Sequence, residues 1–101
     1  MSEFFVGQKV VVRCHLDTGP VLDQVMATLR AGNVDITGTV KVTELAGRTD
    51  AEGWVRAEVL EVTEQAVTLR LPDTMSGEVY SRGGIATLPL TWAVENIEPG
   101  H

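Results

Sequence analysis

The sequence predicts a mostly β protein: a small barrel of about five to six strands, with one short helix after the first strand. Three observations carry that prediction. Apolar residues recur mainly with period two, the signature of half-buried strands. Clusters of turn-forming residues interrupt those runs at short, regular intervals. The chain has 101 residues, enough for one domain around one modest core.

The elements follow in order. Lys9 to His15 is the first strand, where Val10, Val11 and Val12 supply the β-branched character that sheets favour. Asp17-Thr18-Gly19-Pro20 ends it with turn chemistry. Val21, Leu22, Val25, Met26 and Leu29 then fall on one helical stripe. Thr18 is available as a cap, Pro20 suits a first turn and Gly32-Asn33 suits a stop, so residues 21–30 are expected to be helical. The rival reading is a strand over Gln24 to Leu29.

Period two returns at Val34, Ile36, Gly38, Val40 and Val42, and Ala46 to Gly53 reads as a polar loop. Trp54 to Thr63 is the next strand. Its apolar phase slips between Val59 and Leu60, as a β-bulge would make it do. Glu64-Gln65 turns the chain into a strand at Ala66 to Leu71, and Pro72 to Gly77 reads as a loop. Val79 to Arg82 and Ile85 to Leu88 flank Gly83-Gly84 as a tight hairpin, because primed turns need positive φ. Residues 1–99 are read as the single barrel domain. Gly100-His101 are a tail, native or tag-derived, and are set aside from site reasoning.

The C-terminal stretch Thr87-Leu88-Pro89-Leu90-Thr91-Trp92-Ala93-Val94-Glu95-Asn96-Ile97 resembles the end of SH3-like barrels. There a strand meets a proline, a single helical turn follows, and a last short strand closes the barrel. The resemblance implies an SH3-like fold, with Val94 and Ile97 re-entering the core. It covers little more than this segment. Peptide-binding SH3 domains are similar in Trp54 and Pro89, but they carry a Tyr where this chain has Trp92. They also have an N-terminal aromatic box where this chain has Val11-Val12-Arg13-Cys14-His15. The plasmid-encoded dihydrofolate reductases of SH3-like fold carry Val-Gln-Ile-Tyr before their proline. Ile85-Ala86-Thr87-Leu88 lacks both the Gln and the Tyr. Neither function carries over.

Charge and motif spacing bound the function further. With 8 Lys+Arg against 14 Asp+Glu the formal net charge is -6, which argues against tight binding to a phosphate backbone. Only a convergence of Arg13, Arg56, Arg70 and Arg82 would supply a locally basic stripe. No apolar run reaches the length of a membrane span, and the N-terminus has no secretory pattern, so a cytoplasmic location is expected. The single cysteine makes no internal disulfide.

Cys14 and His15 are adjacent on a strand, so their side chains point to opposite faces and form no nucleophilic dyad. The chain has no metal-ligand spacing, and Asp17 and Asp23 are read as a turn former and a solvated residue. Glu58, Glu61 and Glu64 read as a charged strand face. Gly83-Gly84 leads into a strand rather than a helix, so it is no phosphate loop. Neither a cofactor nor a metal is expected.

What remains is surface contact. The expected function is a non-catalytic protein-interaction module, an adaptor or inhibitor acting through Trp54, Tyr80, Arg82, Asp50 and Glu52. Its partner would be another protein or a second copy, not a membrane. The alternatives are a structural subunit of a larger assembly such as a virion component and, last, a nucleic-acid-binding barrel. In the structural-subunit reading, loops Ala46–Gly53 and Pro72–Gly77 make the contacts.

Overall fold

A computed structural model describes residues 4–19, 22–31, 34–49, 51–72, 76–77 and 84–100. The protein is mostly β, a sheet that curls into a half-barrel around one apolar core and is compatible with an SH3-like barrel. The elements are β1 (Lys9–Thr18), β2 (Gln24–Ala31), β3 (Val34–Lys41), a 3-10 turn (Val42–Glu44), β4 (Leu45–Arg48), β5 (Glu52–Val62), β6 (Ala66–Arg70), β7 (Ser76–Gly77), β8 (Ile85–Pro89), α1 (Leu90–Asn96) and β9 (Ile97–Pro99). Their order across the sheet is β7-β3-β2-β1-β5-β6-β8, with β4 added to β5 and β9 added to β1.

The helix expected after the first strand is instead strand β2. Val25, Ala27, Leu29 and Ala31 alternate inward while Gln24, Met26, Thr28 and Arg30 lie on the other face. The apolar stripe that suggested a helix satisfied both periods. Pairing decides between them, because β2 is paired along its whole length with β3 and from Val25 to Thr28 with β1. The helical element lies at the C-terminus, after the strands.

Other segments match the sequence closely. On β5 the register steps from Val59 opposite Leu69 to Glu61 opposite Thr68, so Leu60 is the extra residue of a bulge, where the apolar phase slips. The stretch Ala46–Gly53 is more ordered than a loop: β4 pairs with β5, and the connection is closed by the Thr49 N–H donating to the Glu52 carbonyl at 2.7 Å. Of the stretch Pro72–Gly77, Ser76 and Gly77 pair with Thr37 and Ile36 of β3. Of the Gly83-Gly84 hairpin, the first strand and Gly83 lie outside the described residues. Gly84 has φ +88°, the positive value the turn was expected to require.

Pro89 has no N–H to continue the ladder, and α1 begins directly after it. The Leu90 N–H donates to the Gln65 carbonyl at 2.9 Å, tying the helix start to the β5–β6 turn. β9 then pairs antiparallel with Val10 to Val12 of β1, and the Gly100 N–H donates to the Lys9 carbonyl. Ile97 is buried as expected, but Val94 is exposed and Ala93 takes the inward position. Consecutive helical residues differ by about 100° around the axis, so only one of Ala93 and Val94 can face the sheet.

The core collects the inward side chains of every long strand, with Leu29, Ile36, Leu69, Leu88 and Ile97 the largest that are fully enclosed. Each contributes about 1.5–3 kcal/mol of transfer free energy. Among the described residues no helix is long and apolar enough to cross a membrane.

Candidate functional site

Strand β1 changes neighbours along one of its edges. Val10 to Val12 pair with β9, whereas His15 to Thr18 pair with β2. Between those two ladders, Arg13 and Cys14 have no strand in register on that edge, although β5 runs alongside them on the other. The two neighbours diverge there and leave a notch. A groove of about 460 Å³ occupies it, lined by Arg13, Cys14, His15 and Asp17 of β1, Thr28 and Arg30 of β2, Glu52 of β5, and Trp92 and Asn96 of α1.

Each wall has a local cause. Arg13, His15 and Asp17 alternate with buried Cys14 and Leu16, so the charged side chains share the outer face of the sheet. Thr28 lies opposite His15 at the end of the β1–β2 ladder, and Arg30 follows on the same face of β2. On the other side, Trp54 lies opposite Arg13 and Glu52 opposite His15. Trp92 is half-buried against the core, and the Asn96 side-chain amide donates to the Trp92 carbonyl at 2.9 Å. That bond fixes the last turn of α1 as the third wall.

The charges are unevenly distributed. Arg13 rests its guanidinium over the Trp54 ring, 5.1 Å from the centroid. An arginine so placed keeps its charge and gains roughly 0.5–1 kcal/mol from the ring quadrupole at an exposed site. Arg30 reaches Asp35 only at 3.8 Å through Nε, and His15 Nε2 lies 3.6 Å from Asp17 Oδ1. Thr28 and Thr37 share a hydroxyl hydrogen bond of 3.1 Å across β2 and β3. The groove is therefore lined by cations at Arg13, which rests on Trp54, and at Arg30, and by carboxylates at Asp17 and Glu52.

Cys14 forms part of the groove floor, but burial pushes its thiol up to about 12. At neutral pH it is a protonated, enclosed side chain, and His15 faces the other way. Among the described residues, no group of three or more His, Cys, Asp or Glu side chains gathers as metal ligands would.

Of the residues expected to bind a partner, Glu52 lines the groove and Trp54 borders it through Arg13. Asp50, Tyr80 and Arg82 lie outside the described residues. Sequence reasoning missed Thr28, Arg30 and Asn96, and it met Trp92 in the comparison with SH3 domains. The alternation of Thr28 and Arg30 in β2 carried the signal, but only once that segment is read as a strand.

The basic stripe converges in part. Arg13 and Arg56 lie on the same outer face of adjacent strands, Arg56 opposite Val11. Arg70 is instead engaged by Glu58 at 3.5 Å, and Arg82 is outside the described residues. Comparisons with protein-family models, with curated proteins and with solved structures find no match for this chain.

Proposed function

We propose that this half-barrel is an SH3-like fold serving as a non-catalytic protein-interaction module, an adaptor or inhibitor, in the cytoplasm. One observation carries the reading: the open groove where β1 passes from β9 to β2, walled by Trp92 and bordered by Trp54 with Arg13 stacked on it. Aromatic residues and arginine dominate interface hot spots, because they bury much surface while keeping a polar handle. The groove is bounded by strands on two sides and a helix on the third, so an extended segment of a partner chain fits its form. The strand–proline–helix–strand ending, with β9 returned to β1, supports the finer fold assignment.

The test is affinity capture from nuclease-treated lysate of the source cell, run beside light scattering of the purified protein. A stoichiometric foreign protein is expected, bound at least tenfold more weakly by Trp54→Ala. Self-association alone would favour the structural-subunit reading. A partner held only before nuclease treatment would favour nucleic acid.

A further inference from the structure

We infer that the groove takes an acidic segment of the partner protein, with a carboxylate seated between Arg13 and Arg30. The inference rests on the interaction-module reading and names the chemistry of its partner. Arg13 and Arg30 both line the groove, just beyond the point where the β1–β2 ladder stops at His15 and Thr28. Like charges that line one groove repel unless something neutralises them. Among the described residues no carboxylate lies within ion-pair distance of Arg13, whose guanidinium rests on Trp54. Arg30 has Asp35 alone, at the long end of the ion-pair range.

Arg56 extends the excess. It is diagonal to Arg13 across the β1–β5 ladder and has no ion pair among the described residues. The chain as a whole carries -6, so this local cationic row stands against the global balance. Planar guanidinium forks match carboxylates through paired N–H donors, and arginine keeps its charge at every relevant pH.

The same numbers choose a protein over a nucleic acid. A polyphosphate continues past the row and meets the field of an acidic molecule, whereas a peptide brings one or two charges to the row itself. The acidic end of the groove fixes direction. Asp17 is four residues along β1 from Arg13, about 13 Å at strand rise. A basic side chain two to four residues from the seated carboxylate would meet Glu52 or Asp17.

Selection from a random linear dodecapeptide library displayed on phage, against the immobilised full chain, tests this. The expected result is enrichment of Glu or Asp, with a basic residue two to four positions away. The selected peptides should bind Arg13→Gln/Arg30→Gln at least tenfold more weakly and bind Arg70→Gln unchanged. All three substituted side chains are exposed, so the variants should retain the circular dichroism of the parent. Peptides that compete for the groove without acidic preference would overturn the carboxylate inference and leave the interaction-module reading standing. If no peptide maps to the groove, both fail. Displacement of the peptides by succinate at equal concentration would make this a small-anion site and overturn the peptide assignment. A single-stranded oligonucleotide that outcompetes them would overturn the choice of protein.

Discussion

Two charged rows cross the outer face of the same sheet, four residues apart on β1, and they are built differently. In the first, Lys9, Glu58 and Arg70 stand side by side on β1, β5 and β6, and Glu58 reaches Lys9 at 3.3 Å and Arg70 at 3.5 Å. Charge alternates across unbroken ladders, and the one anion reaches both cations. In the second, Trp54 stands opposite Arg13 on β5, and Arg30 lines the same groove as Arg13 where the ladder between β1 and β2 has ended. Two cations line one groove there, and an aromatic ring stands where the first row has a carboxylate. The first row is satisfied by its own sheet. The second leaves unneutralised charge at a gap, which is what a docking surface requires.

That contrast can be broken first in the core. Leu29 lies beneath the groove side and Leu69 beneath the paired side, and both are fully buried. Leu29→Ala and Leu69→Ala are each expected to cost about 2–5 kcal/mol in urea unfolding, with unchanged m-values. A loss confined to Leu69→Ala would mean that the groove side is not part of the cooperative core.

Glycines give the next comparison. A Cβ on Gly84 would sit 2.5 Å from the Leu71 carbonyl oxygen, and φ there is +88°. Gly84→Ala is expected to cost about 1–3 kcal/mol, since backbone cannot yield and the conformation suits glycine. On the groove side, a Cβ on Gly53 would meet the end of the Leu16 side chain at 2.6 Å. That end can rotate, so Gly53→Ala should cost less. The reverse order in thermal melts would contradict these placements.

Cys14 supplies a pH test. Burial raises its folded pKa from 9.0 to about 12, so the folded state holds its proton where the unfolded chain has lost it. The resulting stability is fully present below pH 9 and is lost as pH rises towards 12. By pH 10 the loss from this residue should be on the order of 1 kcal/mol. Urea midpoints from pH 7 to 10 should fall more steeply for the parent than for Cys14→Ala. Equal slopes would place the thiol in contact with solvent.

The smallest effect belongs to the satisfied row. Glu58→Gln should cost no more than about 1 kcal/mol, and less in high salt, because its partners are largely exposed. A larger cost would show that the row is structural in its own right.

The legible parts of this fold are those set by neighbours in sequence. The bulge at Leu60 shows because side-chain alternation breaks within one strand, and Pro89 marks the end of β8 because its missing N–H is a local fact. The identity of β2 was ambiguous because half of its inward positions are alanines, Ala27 and Ala31, which weigh little in an apolar pattern. Trp54 was legible as the start of a strand, whereas Glu52 was singled out on the polar loop Ala46–Gly53 and proves to open the same strand. The groove itself could not be singled out, because it exists only where β1 exchanges β9 for β2, a pairing between the first strand and the last. Arg30 comes to line the same groove as Arg13 through that divergence and through nothing in the intervening sequence.

The most direct test is an amide chemical-shift map of the isotope-labelled protein during titration with its captured partner. The account predicts shifts concentrated at Arg13, His15, Thr28, Arg30 and Glu52 and at the Trp92 indole, with Lys9, Glu58, Thr68 and Arg70 unmoved. Shifts concentrated on the Lys9–Glu58–Arg70 row, with the groove unmoved, would contradict it.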